Sequence, residues 1–298
     1  MRLNQQPKRQ KNKRLVVDPK LDTPIDDAAV ARFATDYGEQ PFTDVVVLIA
    51  AYNEAGAIGD VLDEMPPTVC DLAVTTLVVT DGCEDGTAAV VREHQGGRTR
   101  ALVCEVTENR GQGAALRLGY RLAREGGVRF IVTTDADGQY HLEEMPALVG
   151  PLVAGTADFV TGSRRLGYYE VTDTVRRHGV HVFARVVSIL TGQHVTDTSF
   201  GMRAMRAEIT GEITLKQQQY QSSELLIGLI SHGFRVLEVP GTFRRRASGK
   251  SKKGNNFIYG VRYGRVVLGT WLREGRRGRA ARRSRSIAAD ASSTGNLG

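Results

Sequence analysis

Short runs of apolar residues alternate with segments of helical periodicity through the middle of the chain. The strand-like runs lie at 45–50, 75–79, 101–106 and 128–133, and helical patterns lie between them at 58–65, 87–94 and 114–124. Each run is almost continuously apolar, as is typical of parallel strands that are buried on both faces. The pattern predicts an α/β fold with a single, Rossmann-like, mostly parallel sheet that carries helices on both faces.

The pattern is less regular in the second half of the chain. Strands are predicted at 158–162 and 235–239, and helices at 176–190 and 222–232. We expect these elements to extend the same sheet and to shape a second substrate site. Residues 255–273 mix large apolar side chains with Arg262, Arg265 and Arg273, which predicts an amphipathic helix.

The length and composition indicate one large domain with tails. A chain of 298 residues with 41% hydrophobic content can bury a substantial core. Residues 1–40 mix Lys, Gln, Asp and Pro and are predicted to form a flexible basic arm. The predicted domain then spans 44–254, the amphipathic helix 255–273, and a disordered Arg-rich tail 274–298.

The positive charge is concentrated at the two ends of the chain. The formal net charge is +7, of which residues 1–20 contribute +6 and residues 273–298 contribute +5, leaving −4 for 21–272. This distribution suits a solvated arm or attraction to an anionic membrane surface. We therefore expect no nucleic-acid partner.

Cysteine usage and hydropathy indicate the compartment. The three cysteines Cys70, Cys83 and Cys104 form neither a CxxC pair nor a secreted disulfide framework, so a reducing cytosol is expected. No stretch approaches about 18 consecutive apolar residues, which argues against a transmembrane segment. The expected location is cytoplasmic, with the amphipathic helix and the basic tail holding the protein peripherally at the inner face of the cell membrane.

A DxDxQ motif follows the fourth strand-like run. In an extended strand exit, Asp135, Asp137 and Gln139 can present three oxygens to one side. Mg²⁺ and Mn²⁺ prefer oxygen ligands, and Mg²⁺ commonly lies between one or two carboxylates and substrate phosphates. The motif therefore predicts a divalent metal on a diphosphate, although a solvated turn or a helix N-terminus would be the better explanation of an isolated DxD.

Three further polar loops follow the preceding strands and strengthen the metal interpretation. Tyr52-Asn53-Glu54 follows the first run and can contact a base or cap the next helix. Asp81 follows the second and can accept from a base or ribose, while Asp85 is placed to cap a helix. In the segment 109–113, after the third run, backbone N–H groups and Arg110 are expected to face phosphate or ribose. Ligands gather at the carboxyl ends of parallel strands, where these loops lie.

With these motifs, the sequence from about 45 to 254 resembles the family 2 glycosyltransferases of the GT-A fold, and among them the polyprenyl-phosphate sugar transferases such as dolichyl-phosphate mannosyltransferase. The motifs that carry the resemblance are Tyr52-Asn53-Glu54, Thr80 to Thr87, Asn109 to Gly113, Asp135 to Gln139, Gly162-Ser163-Arg164, Asp197 to Arg203, Glu238-Val239-Pro240 and Arg246 to Lys252.

The resemblance implies an inverting hexosyltransferase that uses a nucleoside diphosphate sugar, Mg²⁺ or Mn²⁺, and most readily a polyprenyl phosphate acceptor. It also implies three groups of site residues. Donor binding is expected from Tyr52, Glu54, Asp81, Asn109, Gly111 and Asp135, metal binding from Asp135, Asp137 and Gln139, and acceptor or phosphate binding from Ser163, Arg164, Arg203, Arg246 and Lys252.

The acceptor determines whether a general base is needed. An ionised phosphate is already nucleophilic, whereas a hydroxyl acceptor must lose a proton. We therefore interpret Asp137 as a catalytic metal ligand and Asp197 and Glu224 as the candidate bases. An acceptor hydroxyl on a polysaccharide or small molecule remains the alternative.

Some positions depart from the family pattern. Ala50 and Ala51 stand where a proline often precedes Tyr-Asn-Glu, Thr80 replaces the first aspartate of a paired acidic loop, and Cys83 replaces the usual serine. The identity of the base, uracil or guanine, is therefore left open.

Two other functions compete with this interpretation. A sugar nucleotidyltransferase usually carries a Gly-rich loop containing Arg or Lys after the first strand, and that loop is absent here. A catalytically silent GT-A scaffold could bind anionic partners through its basic tails. The intact Asp135 and Asp137 argue against a silent domain.

Overall fold

A computed structural model describes residues 24–39, 41–170, 174–244, 260–275 and 278. Eight strands form one sheet: β1 (Val45–Ala51), β2 (Thr68–Val69), β3 (Leu72–Asp81), β4 (Arg100–Val106), β5 (Phe130–Asp135), β6 (Phe159–Tyr169), β7 (Arg203–Arg206) and β8 (Val236–Phe243).

The sheet is mostly parallel. Its order is β2-β3-β1-β5-β7-β6-β8, and β4 pairs with β3. Strands β1, β3, β4 and β5 run parallel, β6 is parallel to β8, and β7 is antiparallel to both β5 and β6. The predicted α/β class is confirmed. The short antiparallel β7 was not predicted, because its four residues, with arginines at both ends, show no apolar run of their own.

Within the described residues, seven α-helices have defined bounds: α1 (Pro24–Tyr37), α2 (Ile58–Asp63), α3 (Thr87–Glu93), α4 (Gln112–Glu125), α5 (Met145–Val153), α6 (Thr174–Thr191) and α7 (Gln221–His232). Residues 260–275 are also helical and are called α8 here. Most predicted elements lie within a few residues of these bounds, but β6 extends to Tyr169, well past its predicted end at 162. Helices α1 and α5 and the two-residue strand β2 were not predicted.

The hydrophobic core has two layers, one on each face of the sheet. In β1, Val46 and Leu48 belong to one layer, while Val45, Val47 and Ile49 belong to the other. Successive side chains of a strand point to opposite faces, so a strand covered on both sides needs apolar residues at every position. This requirement explains the continuous apolar run, and it places the polar residues at the strand ends.

The N-terminal boundary of the fold lies before the one predicted. Residues 24–37 form α1, which packs along the edge strand β4 and buries Ala29 and Phe33 in the core. The Tyr37 hydroxyl accepts hydrogen bonds from the Val103 N–H and the Gln95 side chain. The expectation of a flexible arm is therefore wrong for these residues, and residues 1–23 lie outside the described part of the chain.

Helix α8 lies within the segment for which an amphipathic helix is predicted. It buries Tyr263 and Val267 in the core and exposes Val261, Leu268 and Leu272. The predicted tail boundary at 274 is too early, because Glu274 is completely buried in α8. Residues 255–259, 276–277 and 279–298 lie outside the described part.

Across the described residues, no helix is both long enough and apolar enough to cross a membrane.

Candidate functional site

A cavity of about 710 Å³ opens at the carboxyl ends of the parallel strands. All four loops predicted from the sequence line it. The second half of the chain supplies its other walls from β6, β7, β8, α8 and the segment before α7. Among the predicted site residues, those that line the cavity are Tyr52, Glu54, Asp81, Asn109, Gly111, Asp135, Asp137, Gln139, Arg164 and Arg203.

The first two loops are held together by hydrogen bonds. The Asn53 side chain accepts from the Glu84 N–H at 2.9 Å, and the Glu54 N–H donates to the Thr87 hydroxyl at 3.0 Å. Asn53, which has a left-handed backbone with φ of 54°, therefore contacts the neighbouring loop rather than a helix end. Asp85 accepts from the Thr87 N–H at 3.1 Å, but Gly86 rather than Asp85 is the N-cap residue of α3.

Asp81 connects the second loop with the third. Its Oδ2 accepts from the backbone N–H groups of Arg110 at 3.0 Å and of Gly111 at 2.6 Å. Gly82 permits this close approach, because a Cβ at that position would lie 2.4 Å from the Asn109 nitrogen. The two N–H groups that were expected to bind phosphate or ribose are therefore used inside the protein. The Arg110 guanidinium also has another partner, because it binds Asp26 of α1.

The other carboxylate oxygen of Asp81 is a candidate ligand contact. Oδ1 is buried, and no described residue donates a hydrogen bond to it. Burial raises the pKa of Asp81, while the hydrogen bonds from Arg110 and Gly111 act in the opposite direction. A buried acceptor without a donor is costly in a protein interior. A ligand N–H at this end of the cavity would satisfy it.

Asp135, Asp137 and Gln139 line the same cavity next to these loops. The Gln112 side chain donates to Asp135 at 3.2 Å, and the Gln139 N–H donates to Asp137 at 3.3 Å. The Gln139 amide nitrogen donates to the Arg244 carbonyl at 2.9 Å, which fixes the orientation of that side chain.

The donor set fits a hard divalent cation. The described part of the chain has no cluster of three or more His, Cys, Asp or Glu side chains suited to a metal. Two carboxylates are nevertheless sufficient where substrate phosphates complete the coordination shell. Gly201 keeps the space beside Asp135 open, since a Cβ there would lie 3.0 Å from its Oδ2 and 2.6 Å from the Tyr140 hydroxyl.

Two arginines of the cavity wall differ in their partners. Arg164 binds Asp197 through two contacts of 2.6 and 2.7 Å and also donates to Ser199 at 2.5 Å. Arg203 is 4% exposed and donates to the Ser222 hydroxyl at 2.8 Å, but its Nε and Nη1 have no acceptor among the described residues. Arg203 is therefore a buried cation whose remaining N–H groups suit an anionic ligand.

The predicted bases Asp197 and Glu224 do not line the cavity. The side chain of Asp197 is fully buried against Arg164. Glu224, which is also fully buried, accepts from the backbone N–H groups of Lys216 and Gln217 and pairs with Arg273 at 2.6 Å. This placement favours positioning roles for both carboxylates over proton abstraction.

The remaining acceptor-side predictions have different outcomes. Ser163 is completely buried and its hydroxyl lies 2.6 Å from that of Thr196, behind the cavity wall. Arg246 and Lys252, with the rest of the basic cluster after Arg244, lie outside the described residues.

Sequence reasoning missed the segment that precedes α7. Gln219 and Tyr220 line the cavity, and Tyr220 has a left-handed backbone with φ of 64°. Tyr263 of α8 lines it as well, and its hydroxyl lies 2.5 Å from both Thr198 Oγ1 and Ser223 Oγ. No local motif marks these positions, because tertiary packing alone brings them to the site.

Comparison with known proteins gives one family match and several related sequences. The model of glycosyl transferase family 2 matches residues 46–214. The chain is 34% identical over 236 residues to a dolichyl-phosphate hexose transferase of Haloferax volcanii, covering 79% of this chain and 97% of that protein. It is 32% identical over 260 residues to a polyprenol monophosphomannose synthase of Mycolicibacterium smegmatis, covering 82% and 94%.

Solved structures share the fold. The structure of glucosyl-3-phosphoglycerate synthase from Mycobacterium tuberculosis in complex with Mg²⁺ and uridine diphosphate superposes with a TM-score of 0.57. The match covers 82% of this chain and 83% of that one at 19% identity. At this identity the likeness concerns the fold alone.

Proposed function

The chain belongs to the family 2 glycosyltransferases, and from this membership we propose that it transfers a sugar from a nucleoside diphosphate sugar to a polyprenyl phosphate, with inversion and with a divalent metal. The observation that carries the proposal is a single cavity lined by the carboxylates of Asp135 and Asp137 and by the guanidinium groups of Arg164 and Arg203. Such a site can bind a metal–diphosphate and a second anion together.

The nucleotide is assigned to the part of the cavity formed by the first three loops. Asp81 Oδ1 is the acceptor for a base N–H, with Tyr52, Glu54, Asn109 and Gly111 around it. Both uracil and guanine carry a ring N–H, so the base stays open.

Asp135 and Asp137, with Gln139, would hold Mg²⁺ or Mn²⁺, which when bound would neutralise the charge that develops on the departing diphosphate. Gln112 fixes Asp135, and the Gln139 backbone fixes Asp137, so the two carboxylates are ordered before the ligand enters. An ordered pair loses less conformational entropy on binding.

The acceptor phosphate is assigned to Arg203, with Arg164 beside it. Arg164 is already paired with Asp197, whereas Arg203 retains N–H groups that can donate hydrogen bonds to a phosphate oxygen. The relatives named above are transferases of dolichyl and polyprenol phosphates, which supports a lipid phosphate as the acceptor. Arg246 and Lys252 stay predicted contacts to this phosphate.

With a phosphate acceptor no protein base is required. A phosphate oxygen forms the new bond to the anomeric carbon while the bond to the diphosphate breaks, and the electron pair leaves with the nucleoside diphosphate. A mechanism without a protein base agrees with the positions of Asp197 and Glu224, which are buried and paired with arginines. A hydroxyl acceptor would need one of these carboxylates to move into the cavity.

A membrane surface would present such an acceptor next to the cavity. Helices α6 and α8 pack together, with the rings of Phe183 and Tyr263 4.3 Å apart. The two helices expose six large apolar side chains, together called the apolar surface here: Val182, Val186, Ile189, Val261, Leu268 and Leu272. Arg185 of α6 and Arg265 of α8 are exposed and would suit anionic headgroups. We place the protein peripherally on the cytoplasmic leaflet by this surface.

The function is tested by incubating the wild type with UDP-sugars or GDP-sugars, Mn²⁺ and polyprenyl phosphate, and measuring the sugar in the organic phase. Asp137→Ala should lower transfer on the order of 100-fold or more, because loss of a metal ligand removes several kcal/mol of charge stabilisation. Asp63→Ala is the matched control, since this exposed aspartate of α2 does not line the cavity.

Equal transfer by Asp137→Ala and the wild type would refute the metal assignment. Product that forms only with a water-soluble hydroxyl acceptor would favour the alternative acceptor. Absence of transfer from every donor, together with salt-dependent binding of anionic partners, would favour a silent scaffold.

A further inference from the structure

Helix α1 lies outside the segment that the family model matches, yet it contacts the nucleotide side of the cavity. The match begins at residue 46, whereas α1 ends at Tyr37. The helix covers the edge strand β4, and the loop that follows β4 carries Asn109 and Gly111 into the cavity. A helix that the family match does not include therefore lies directly behind a proposed donor-binding loop.

The contact between α1 and this loop is a buried bidentate ion pair. Asp26 accepts from Arg110 Nη2 at 2.6 Å and from Nη1 at 2.8 Å. The side chains are only 7% and 14% exposed, so solvent weakens the attraction little. Planar guanidinium and carboxylate groups joined by two hydrogen bonds hold one orientation.

Asp26 thereby determines the direction in which the Arg110 side chain points. The backbone N–H of the same arginine donates to Asp81 Oδ2, so its guanidinium starts within reach of that carboxylate. The hydrogen bonds that Arg110 donates to Asp26 are the main cause that raises the pKa of Arg110, and the charge of Asp81 raises it further by a smaller amount. Without Asp26, the carboxylates whose charges still act on this buried cation would be Asp81 and, by a smaller amount, Glu108.

We propose that Asp26 is a positioning residue of the nucleotide site, which holds the Arg110 guanidinium away from Asp81 and so leaves Asp81 Oδ1 available to the base. The inference rests on the proposed function, because it assigns Asp81 to the nucleotide. With this role for Asp26, helix α1 contributes to nucleotide binding as well as to the fold.

The test compares three variants of the pair in the full-length chain. In Asp26→Asn the amide is neutral, so Arg110 turns towards Asp81 and competes with the base. We expect UDP and GDP binding, measured by calorimetry with Mn²⁺, to weaken about tenfold, the effect of losing a charge-assisted hydrogen bond. The donor KM should rise accordingly while kcat changes little.

Removing the competing cation should restore binding. Arg110→Met, and the double variant Asp26→Asn with Arg110→Met, are expected to bind nucleotide nearly as the wild type does, because Asp81 is held by backbone N–H groups in either case. Asp27→Asn is the matched control, since Asp27 is exposed on the same helix and pairs with Arg121 away from the cavity.

A purely structural role for the ion pair would weaken binding equally in Asp26→Asn and Arg110→Met, and that result would overturn the inference. Unchanged binding by Asp26→Asn would overturn it too. A wild type that binds neither UDP nor GDP would instead contradict the proposed function itself. Circular dichroism and thermal unfolding of each variant show whether it is folded before binding is compared.

Discussion

Asp81 combines two roles at the scale of a single side chain. One oxygen ties the loops after β3 and β4 together through backbone N–H groups, and the other lies buried without a donor among the described residues. Folding raises the pKa of Asp81, so this carboxyl stabilises the fold at low pH, where it is protonated. That stabilisation is lost as the pH rises through the pKa of Asp81 in the folded protein. A base N–H that donates to the ionised form would reverse this preference.

Nucleotide binding should therefore depend on the ionisation of Asp81. We expect the affinity for UDP or GDP to fall as the pH is lowered through the raised pKa of this carboxyl, because the protonated form loses its charge-assisted hydrogen bond. Calorimetry across the acidic range tests this, with Asp81→Asn as the reference. The variant should bind roughly tenfold or more weakly at neutral pH. If both proteins showed the same pH profile, Asp81 would not contact the base.

The two cavity arginines illustrate how partners change the function of one residue type. Arg164 shares its charge with Asp197, which makes it a fixed part of the wall. Arg203 also lines the cavity, but among the described residues its side chain donates only to the neutral Ser222 hydroxyl. Arg203 is therefore the stronger candidate for the acceptor phosphate.

At the scale of elements, an ion pair and a hydrogen bond of Arg273 link α8 to α7 and to the segment that precedes α7. Arg273 pairs with Glu224 of α7 and with Glu274, and Glu274 also contacts His232 at 2.9 Å. Arg273 further donates to the Thr214 carbonyl. Through Glu224 this network fixes the segment 216–218, whose Gln218 carbonyl accepts from the Gly113 N–H at the start of α4.

Breaking this network should destabilise the fold. Arg273→Met leaves two completely buried carboxylates without their cation, which typically costs about 3–5 kcal/mol. Arg265→Met is the control, because Arg265 is exposed on the same helix and such surface changes stay within about 0.5 kcal/mol. Urea unfolding of the two variants measures the difference. Equal free energies of unfolding would show that the network contributes no net stability.

At the scale of the whole molecule, helix α8 contributes residues both to the cavity and to the apolar surface. Arg262 and Tyr263 line the cavity, whereas Val261 and Leu272 of the same helix are exposed. A lipid phosphate could enter the cavity while its hydrocarbon chain stayed in the bilayer. Deleting α8 would remove both features together, so point variants separate them better.

Membrane attachment should depend on the apolar surface. Ile189→Asp combined with Leu272→Asp should reduce binding to vesicles containing anionic lipid at least about tenfold, since buried apolar area is replaced by charge that anionic headgroups repel. Transfer to a long-chain polyprenyl phosphate should fall with it, but transfer to a short water-soluble isoprenyl phosphate should not. Val153→Asp, an exposed apolar position on α5, is the control. Vesicle binding equal to that of the control would exclude this surface.

The sequence by itself determined the α/β fold and the family. Local periodicity marks strands that are buried on both faces, and the polar loops that follow them must meet at one edge of a parallel sheet. The motif spacing alone therefore predicts Asp81, Asn109 and Asp135 as neighbours, and all three line the cavity. Their individual roles stay predictions.

Only the tertiary structure decided what those residues contact. Arg110 faces Asp26, a residue 84 positions away, rather than a phosphate. Asp197 and Glu224 are buried against arginines. Tyr220 and Tyr263 line the cavity, although no sequence motif marks either residue. The physical reason is that hydrogen-bond and ion-pair partners distant in the chain leave no local periodic pattern, and only packing selects among them.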